Sequence, residues 1–336
     1  MTSLIEIIIG VVPVLLFLFV LIYMDSFRLV RISEVVSAIT MGCGTAVVCL
    51  FLNSWLMDLS GIDSLIYTRY VAPLLEEALK AVYILFLIRS KRSDFLIDSA
   101  VYGFAAGAGF AVVENLYYSQ TLDIEYLFVW VVRGFGTAGI HGAATGIFGL
   151  LAYRLSRRET SNAFLVFFLP LAAAASLHSL FNHFILSPVI TTIWLILLLP
   201  LSVMFVYDRC EKATRAWLGM GIDTEMELLE EIRSGRVSKT RVGRYLQALR
   251  QRFRGEIVAD MLCFLRIHLE LSIGAKGILL MQSAGVRVVS DPEIRAKLDE
   301  LKYLEKSLGK TGRLAIQPFF RLTRRDLWQL YMLDRL

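Results

Sequence analysis

Long apolar segments separated by short polar linkers fill the first two-thirds of the chain. Each approaches or exceeds the roughly 20 residues that a membrane-spanning helix needs. The segments cover residues 4–24, 32–57, 71–88, 95–118, 124–155, 163–186 and 189–207. The pattern predicts an all-α fold built as a polytopic transmembrane bundle of about seven helices. A helix over 124–155 would exceed the bilayer core in length, so we expect it to tilt or kink near its glycines.

The apolar segments end near residue 207. The sequence therefore predicts two domains, a transmembrane domain at 1–207 and a mainly helical cytoplasmic domain of unknown role at 208–336. The later part carries 24 Lys and Arg against 17 Asp and Glu. The whole chain is 56% hydrophobic with a mean hydropathy of +0.61, which excludes a single soluble globular domain. Its four cysteines show neither CxxC nor zinc-finger spacing, so they predict no thiolate metal site.

Basic residues between the apolar segments predict the topology. Cytoplasmic loops are enriched in Lys and Arg. The basic loop residues that this rule places on one side are Arg28, Arg31, Arg89, Lys91, Arg92, Arg154, Arg157 and Arg158, with Arg69 as the exception. We therefore expect a multi-pass plasma-membrane protein with its N-terminus outside and its C-terminus in the cytoplasm.

Three charged residues interrupt the segment at 71–88, namely Glu76, Glu77 and Lys80. A charge near the middle of a membrane helix costs on the order of 3 kcal/mol. Lys80 lies one turn after both glutamates and can pair with either. One interpretation is an internal ion pair that only stabilises the bundle. Matching polar groups in other segments favour a functional site.

Those groups lie on three further predicted helices. They are Glu114, Asn115, Arg133, His141, His178 and Asn182. Gly103 and Gly107 fall on the same helical stripe as Glu114, so this carboxylate is expected to face the bundle. Helical rise places the Glu pair, Glu114 and His178 at similar depths near the outer face. His141 reaches that layer only if its helix is broken.

The order of these motifs resembles the PrsW family of intramembrane proteases. The resemblance rests on Glu76-Glu77-x-x-Lys80, Gly-x-Gly-Phe110-x-x-x-Glu114-Asn115, Arg133 ahead of His141, and His178-x-x-x-Asn182, and it covers about residues 65–205. The wider CAAX-protease and bacteriocin-processing group has a His where this chain has Glu114. The resemblance implies regulated proteolysis of a membrane-anchored protein in the lipid bilayer, with anti-sigma factors as the typical substrate class.

Peptide hydrolysis needs an activated water, a proton donor for the leaving amine and donors for the oxyanion. Glu76 or Glu77 is the candidate general base, because a carboxylate in a low-dielectric site can accept a proton near neutral pH. His178 would orient the water or protonate the amine, and Asn182 would donate to the oxyanion. The other candidates are Glu114 and His141 as catalytic residues and Lys80, Asn115 and Arg133 as supporting residues.

A metal-dependent hydrolase is the alternative enzyme. No cofactor is firmly predicted, but a divalent ion such as zinc could take its ligands from Glu76, Glu114, His141 and His178, since carboxylate and imidazole are ordinary zinc ligands. The chain has no HExxH motif, so we favour a glutamic-type protease.

Two interpretations of the buried polar residues involve no proteolysis and stay open. A proton-coupled transporter also places ionisable residues inside a bundle, although the chain shows no internal repeat. A non-catalytic scaffold would need the glycines but neither the Glu pair nor His178.

The stretch from Arg236 to Arg254 is strongly basic. It suits a cytoplasmic partner or anionic lipid, although the sequence alone favours a solvated helix face. No nucleic-acid module is recognisable there, so no nucleic acid is expected.

Overall fold

The computed structural model describes residues 4–25, 27, 29–90, 92–93, 95–121, 126–158, 162–286 and 292–317. Arg28 and Lys91, used for the topology prediction, lie outside these residues. Throughout the described ranges the regular elements are helices. The predicted all-α, polytopic fold is confirmed.

By spatial contact the chain forms two compact units, Met1–Cys210 and Glu211–Leu336. The helices that begin in the first unit are α1 Leu4–Tyr23, α2 Ile32–Ser60, α3 Ser64–Ile66, α4 Ala72–Arg89, α5 Leu96–Thr121, α6 Leu127–Val131, α7 Ala138–Ser156, α8 Ala163–Asn182 and α9 Pro188–Arg233. Two π-helical turns, Tyr67–Val71 and Val132–Thr137, precede α4 and α7. The second of these turns lies at the glycines where a kink was expected.

Six of the described helical stretches are long and apolar enough to cross a membrane. They are α1, α2, α5, the continuous stretch Leu127–Ser156, α8 and α9. The seventh expected span corresponds to α4, which has 18 residues but carries the Glu pair and Lys80. These three side chains are all buried, because α4 packs against α2, α5, α7 and α8. The charged face of α4 is therefore covered by neighbouring helices, whereas Leu74, Val82 and Phe86 on the same helix are exposed.

Glycines let α5 and α7 meet backbone to backbone. A Cβ atom built on Gly103 would lie 2.4 Å from the carbonyl oxygen of Thr145, and one on Gly107 would lie 2.2 Å from that of His141. Real Cβ atoms do not approach so closely, so only glycine fits at these two positions. The close approach brings His141 on α7 towards the face of α5 that carries Glu114.

The second unit has its own apolar core. Its described helices are α10 Arg241–Leu249, α11 Gly255–Ser283 and α12 Pro292–Ile316, together with a 3₁₀ turn at Arg236–Lys239. Leu246, Met261 and Leu265 belong to a buried cluster within this unit. The unit is therefore a packed helical body and not an extended tail.

The glycine packing predicts a difference between two positions on α2. A Cβ on Gly42 would lie 2.0 Å from the carbonyl oxygen of Ala106, whereas one on Gly44 meets no atom within 4 Å. Gly42→Ala should destabilise the fold by about 1–3 kcal/mol, the usual cost of overpacking. Gly44→Ala should be neutral or stabilising by up to about 1 kcal/mol. Thermal unfolding in detergent measures both, and equal melting temperatures would contradict the packing.

Candidate active site

Glu77 of α4 lies at the centre of the polar cluster and hydrogen-bonds through both carboxylate oxygens. Oε1 lies 2.5 Å from Lys80 Nζ and 3.1 Å from His178 Nδ1, and Oε2 accepts a 2.9 Å hydrogen bond from Thr145 Oγ1. Glu77 and Lys80 are each only 1% exposed. A buried charge without partners is very costly, so these contacts are what allow Glu77 to lie here. They join α4, α7 and α8.

His141 of α7 connects this carboxylate cluster to α5. Its Nδ1 atom lies 3.1 Å from Lys80 Nζ, and its Nε2 atom lies 3.0 Å from Glu114 Oε2. The His141 and His178 rings meet edge to face with centroids 4.6 Å apart. Phe110 covers the cluster from α5, with its ring centroid 4.5 Å from Lys80 Nζ. The two histidines therefore adjoin one another within an enclosed site.

Glu76 has far fewer partners than its neighbour Glu77. Its Oε1 accepts a 3.0 Å hydrogen bond from Asn53 Nδ2 of α2, and Asn53 Oδ1 in turn accepts one of 3.1 Å from the hydroxyl of Tyr67. In the ranges that the structure describes, Asn53 is the hydrogen-bond partner of this carboxylate. Three residues, Glu76, His141 and His178, each offer one ligand atom. These three atoms lie within 4.8 Å of one another. These three ligand atoms therefore form one compact group.

Arg133, in the π-helical turn before α7, borders Glu114. Its Nε atom donates a 2.9 Å hydrogen bond to Asn115 Oδ1, and Nη2 lies 3.7 Å from Glu114 Oε2. Asn115 Nδ2 donates to the carbonyl of Gly10 on α1 at 2.6 Å, and the guanidinium lies 4.1 Å from the ring centroid of Tyr118. Arg133 and Asn115 therefore hold the Glu114 end of the site in place.

Asn182 makes a different contact from the one expected. Its Nδ2 atom donates a 3.0 Å hydrogen bond to the carbonyl of Thr68, and one turn earlier Ser179 Oγ donates to the carbonyl of Arg69 at 2.6 Å. Both acceptors lie in the π-helical turn that precedes α4. The structure thus brings Asn182 to this turn, while His178 on the same helix contacts Glu77. The oxyanion role of Asn182 stays a prediction.

A family model described as PrsW family intramembrane metalloprotease matches residues 31–207, more than half of the chain. The chain belongs to this family. Protease PrsW of Oceanobacillus iheyensis is 30% identical over 139 residues, which cover 38% of this chain and 63% of the relative. The match thus spans less than two thirds of that protein. No solved structure matched the chain. Membership of the PrsW family was the sequence-based expectation, and it is confirmed.

Most of the residues singled out in the sequence meet in this PrsW-family site. The structure brings together Glu76, Glu77, Lys80, Glu114, Asn115, Arg133, His141 and His178. Sequence reasoning missed Asn53, Tyr67 and Thr145. A signal existed for two of them, because Asn53 interrupts an apolar segment and Thr145 follows His141 by one helical turn. Tyr67 carried none, since an aromatic residue at a helix end is ordinary.

The donor set fits the metal ion that the family description implies. One carboxylate and two imidazoles are a known catalytic zinc set. If His178 donates Nδ1–H to Glu77, its Nε2 lone pair is free, the arrangement usual for metal-binding histidines. Glu114 Oε2 lies within hydrogen-bond distance of His141 Nε2, at 3.0 Å. Glu114 is thus the nearest candidate for a fourth ligand.

The unequal partners of the Glu pair predict unequal stability effects. Glu77→Gln keeps the shape but leaves Lys80 buried without its counter-charge, so it should cost about 3–5 kcal/mol. Glu76→Gln can still accept the Asn53 hydrogen bond and should cost about 1 kcal/mol or less. Thermal unfolding of the purified proteins in detergent compares them.

The double variant Glu77→Gln/Lys80→Met is the matched control, because it removes both charges. It should be more stable than Glu77→Gln alone. Equal stability of the two single Glu variants would show that Glu77 is not the residue on which the buried cluster depends.

Proposed function

We propose that this chain is an intramembrane endopeptidase that hydrolyses a peptide bond of a membrane-anchored protein. The observation that carries the proposal is the convergence of donor atoms from Glu76, His141 and His178 within 4.8 Å of one another. Two imidazoles beside a carboxylate supply a proton acceptor and proton donors, which amide hydrolysis requires. Family membership supports the same reaction class.

Within this site, Glu76 is the better candidate for the reacting carboxylate. Both oxygens of Glu77 are occupied by Lys80, His178 and Thr145. Within the described ranges, Glu76 receives one hydrogen bond, from Asn53, which fixes the carboxylate and leaves acceptor capacity for a water proton. We therefore assign the reacting role to Glu76, as proton acceptor in a metal-free reaction or as ligand when an ion is bound, and a positioning role to Glu77, which fixes the orientation of the His178 ring.

Glu76, His141 and His178, with Glu114 beside His141, are the residues that would hold a divalent ion. When bound, such an ion would make water more acidic and polarise the scissile carbonyl. The donor set and the family description lead us to favour a metal-dependent enzyme over the glutamic type favoured from sequence. With an ion on His141 Nε2 the ring proton would lie on Nδ1, so Lys80 would pair with Glu77, and Arg133 and Asn115 would hold the segment that carries Glu114.

The substrate proposed is a single-pass membrane-anchored regulatory protein of the anti-sigma-factor kind, cut near the outer membrane face. Two features support it. The site lies among helices long and apolar enough to span a membrane, which suits a substrate that is itself anchored in the bilayer. The distribution of basic residues predicts that the Glu pair enters the membrane from outside.

Removal of the Glu76 carboxylate should abolish cleavage. Glu76→Gln keeps side-chain volume but cannot accept a proton, so the rate should fall by about 10²–10⁴. The assay uses proteoliposomes and a panel of single-pass transmembrane peptides, each with a fluorophore and quencher flanking the outer third of the span. Glu256→Gln, at an exposed position in the second unit, is the control and should cleave at the wild-type rate. Cleavage by Glu76→Gln at that rate would exclude the proposed centre.

Metal content provides an independent readout. Purified wild-type protein should hold about one equivalent of zinc or another divalent ion, measured by mass spectrometry, and should lose cleavage with a chelator and regain it on ion addition. His178→Ala should lose the ion. His183→Ala, at the residue that follows α8, should keep it, because His183 Nδ1 contacts the carbonyl of Ser179 at 2.7 Å. Undiminished cleavage by metal-free protein would instead establish the glutamic type.

A further inference from the structure

The second unit carries a strongly basic surface that the PrsW-family match, which ends at residue 207, does not include. Between residues 234 and 255 the chain has seven cationic side chains and no acidic one. These are Arg236, Lys239, Arg241, Arg244, Arg250, Arg252 and Arg254. All seven are exposed, and we call them the basic surface.

Among the described residues of its own unit, the basic surface has no acidic partner. Ion pairs elsewhere in the unit join Arg233 to Glu270 and Arg313 to Glu305. In the part of the chain that the structure describes, no ion pair within 4 Å involves any of the seven cations. Like charges so close together repel one another, and an external anion would relieve that repulsion.

The apolar side chains of the same segment point the other way. Val242, Leu246 and Leu249 are buried in the core cluster with Met261, and Phe253 packs against that cluster. This packing fixes the cations on the outer face of the 3₁₀ turn, of α10 and of the loop that follows it. It also means that the segment has no free apolar face to insert into a membrane, so any membrane contact must be electrostatic and sensitive to salt.

We propose that the basic surface binds the anionic phospholipid headgroups of the membrane in which the first unit is embedded. Arg236 follows Tyr207, the end of the last apolar segment, by only 29 residues. Residues 208–233 of this connection continue helix α9. The surface is covalently joined to the membrane-embedded unit, so where this helix lets it reach the bilayer its contact with lipid is intramolecular and weak contacts suffice. Each Lys or Arg near an anionic bilayer strengthens association about fivefold.

Single-stranded RNA is the other polyanion to consider. Its binding sites usually expose aromatic side chains on which bases stack. The aromatic residues of this segment are otherwise engaged, because Phe253 packs on the core and the Tyr245 hydroxyl donates a 2.8 Å hydrogen bond to the carbonyl of Ala315. Lipid headgroups need no stacking partner, so the surface fits them better. The proposal is independent of the peptidase activity.

The test is limited trypsin digestion of the full-length protein in nanodiscs, followed by mass spectrometry of each cleavage site. One set of discs is pure phosphatidylcholine, and the other contains about one-third phosphatidylglycerol. The measured quantity is cleavage after Lys239, Arg252 and Arg254 relative to cleavage after Lys306 and Lys310, two exposed residues of α12. This ratio corrects for attraction of trypsin to charged discs.

The ratio should fall at least fivefold in anionic discs at 0.1 M salt and recover at 0.5 M, where the Debye length drops from about 10 Å to about 4 Å. The variant Arg241→Gln/Arg244→Gln/Arg250→Gln should lose the protection. The control variant Lys306→Gln/Lys310→Gln removes two charges elsewhere, together with the two reference cleavage sites. Cleavage at the three basic-surface sites is then measured against total cleavage, and their protection should be unchanged.

An equal ratio in neutral and anionic discs would overturn the proposal. So would protection that survives 0.5 M salt or the triple variant, because apolar contact would then be responsible. A 30-nucleotide polyuridine added to neutral discs is the final arm. Protection by this RNA without protection by phosphatidylglycerol would assign the surface to nucleic acid instead.

Discussion

The contact between Lys80 and Glu77 is the constraint on which the membrane part of the structure depends. Two opposite charges, each 1% exposed, lie in a low-dielectric bundle, where neither is tolerable alone. The pair requires further hydrogen bonds, and these come from Thr145 on α7 and His178 on α8. A side-chain pair within one helix therefore fixes the positions of two other helices. The histidines are oriented as a consequence of satisfying a buried charge.

Close helix packing allows the polar side chains of the site to contact one another. Polar side chains bridge helices only when the backbones are near, and α5 meets α7 at Gly103 and Gly107 with no room for a Cβ atom. The π-helical turn at Val132–Thr137 adds a second adjustment, because a π turn changes the rotation and rise of the residues that follow. Both Arg133 and His141 then reach Glu114.

Apolar periodicity and segment length predicted the helices, and the cost of a buried charge predicted that Glu77 and Lys80 need partners. The partners themselves were harder to predict. Helical spacing puts His178 and Asn182 on one face of α8. Asn182 nevertheless contacts the carbonyl of Thr68, which lies in a π-helical turn that no sequence pattern predicted. Asn53 and Thr145 looked like ordinary tolerated polar residues, because their roles depend on which helix lies opposite. Spacing along one helix cannot supply that information.

Adjacent glutamates in a helix point about 100° apart, so Glu76 and Glu77 face different neighbours and have different chemical roles. Glu77 points to the interior, where Lys80, Thr145 and His178 use both of its oxygens. Glu76 points towards α2, where Asn53 is its hydrogen-bond partner among the described residues. A carboxylate with filled acceptor sites can orient neighbours but cannot readily take another proton or ligand. A carboxylate held by one amide can do both, so the pair divides into a positioning residue and a reacting one.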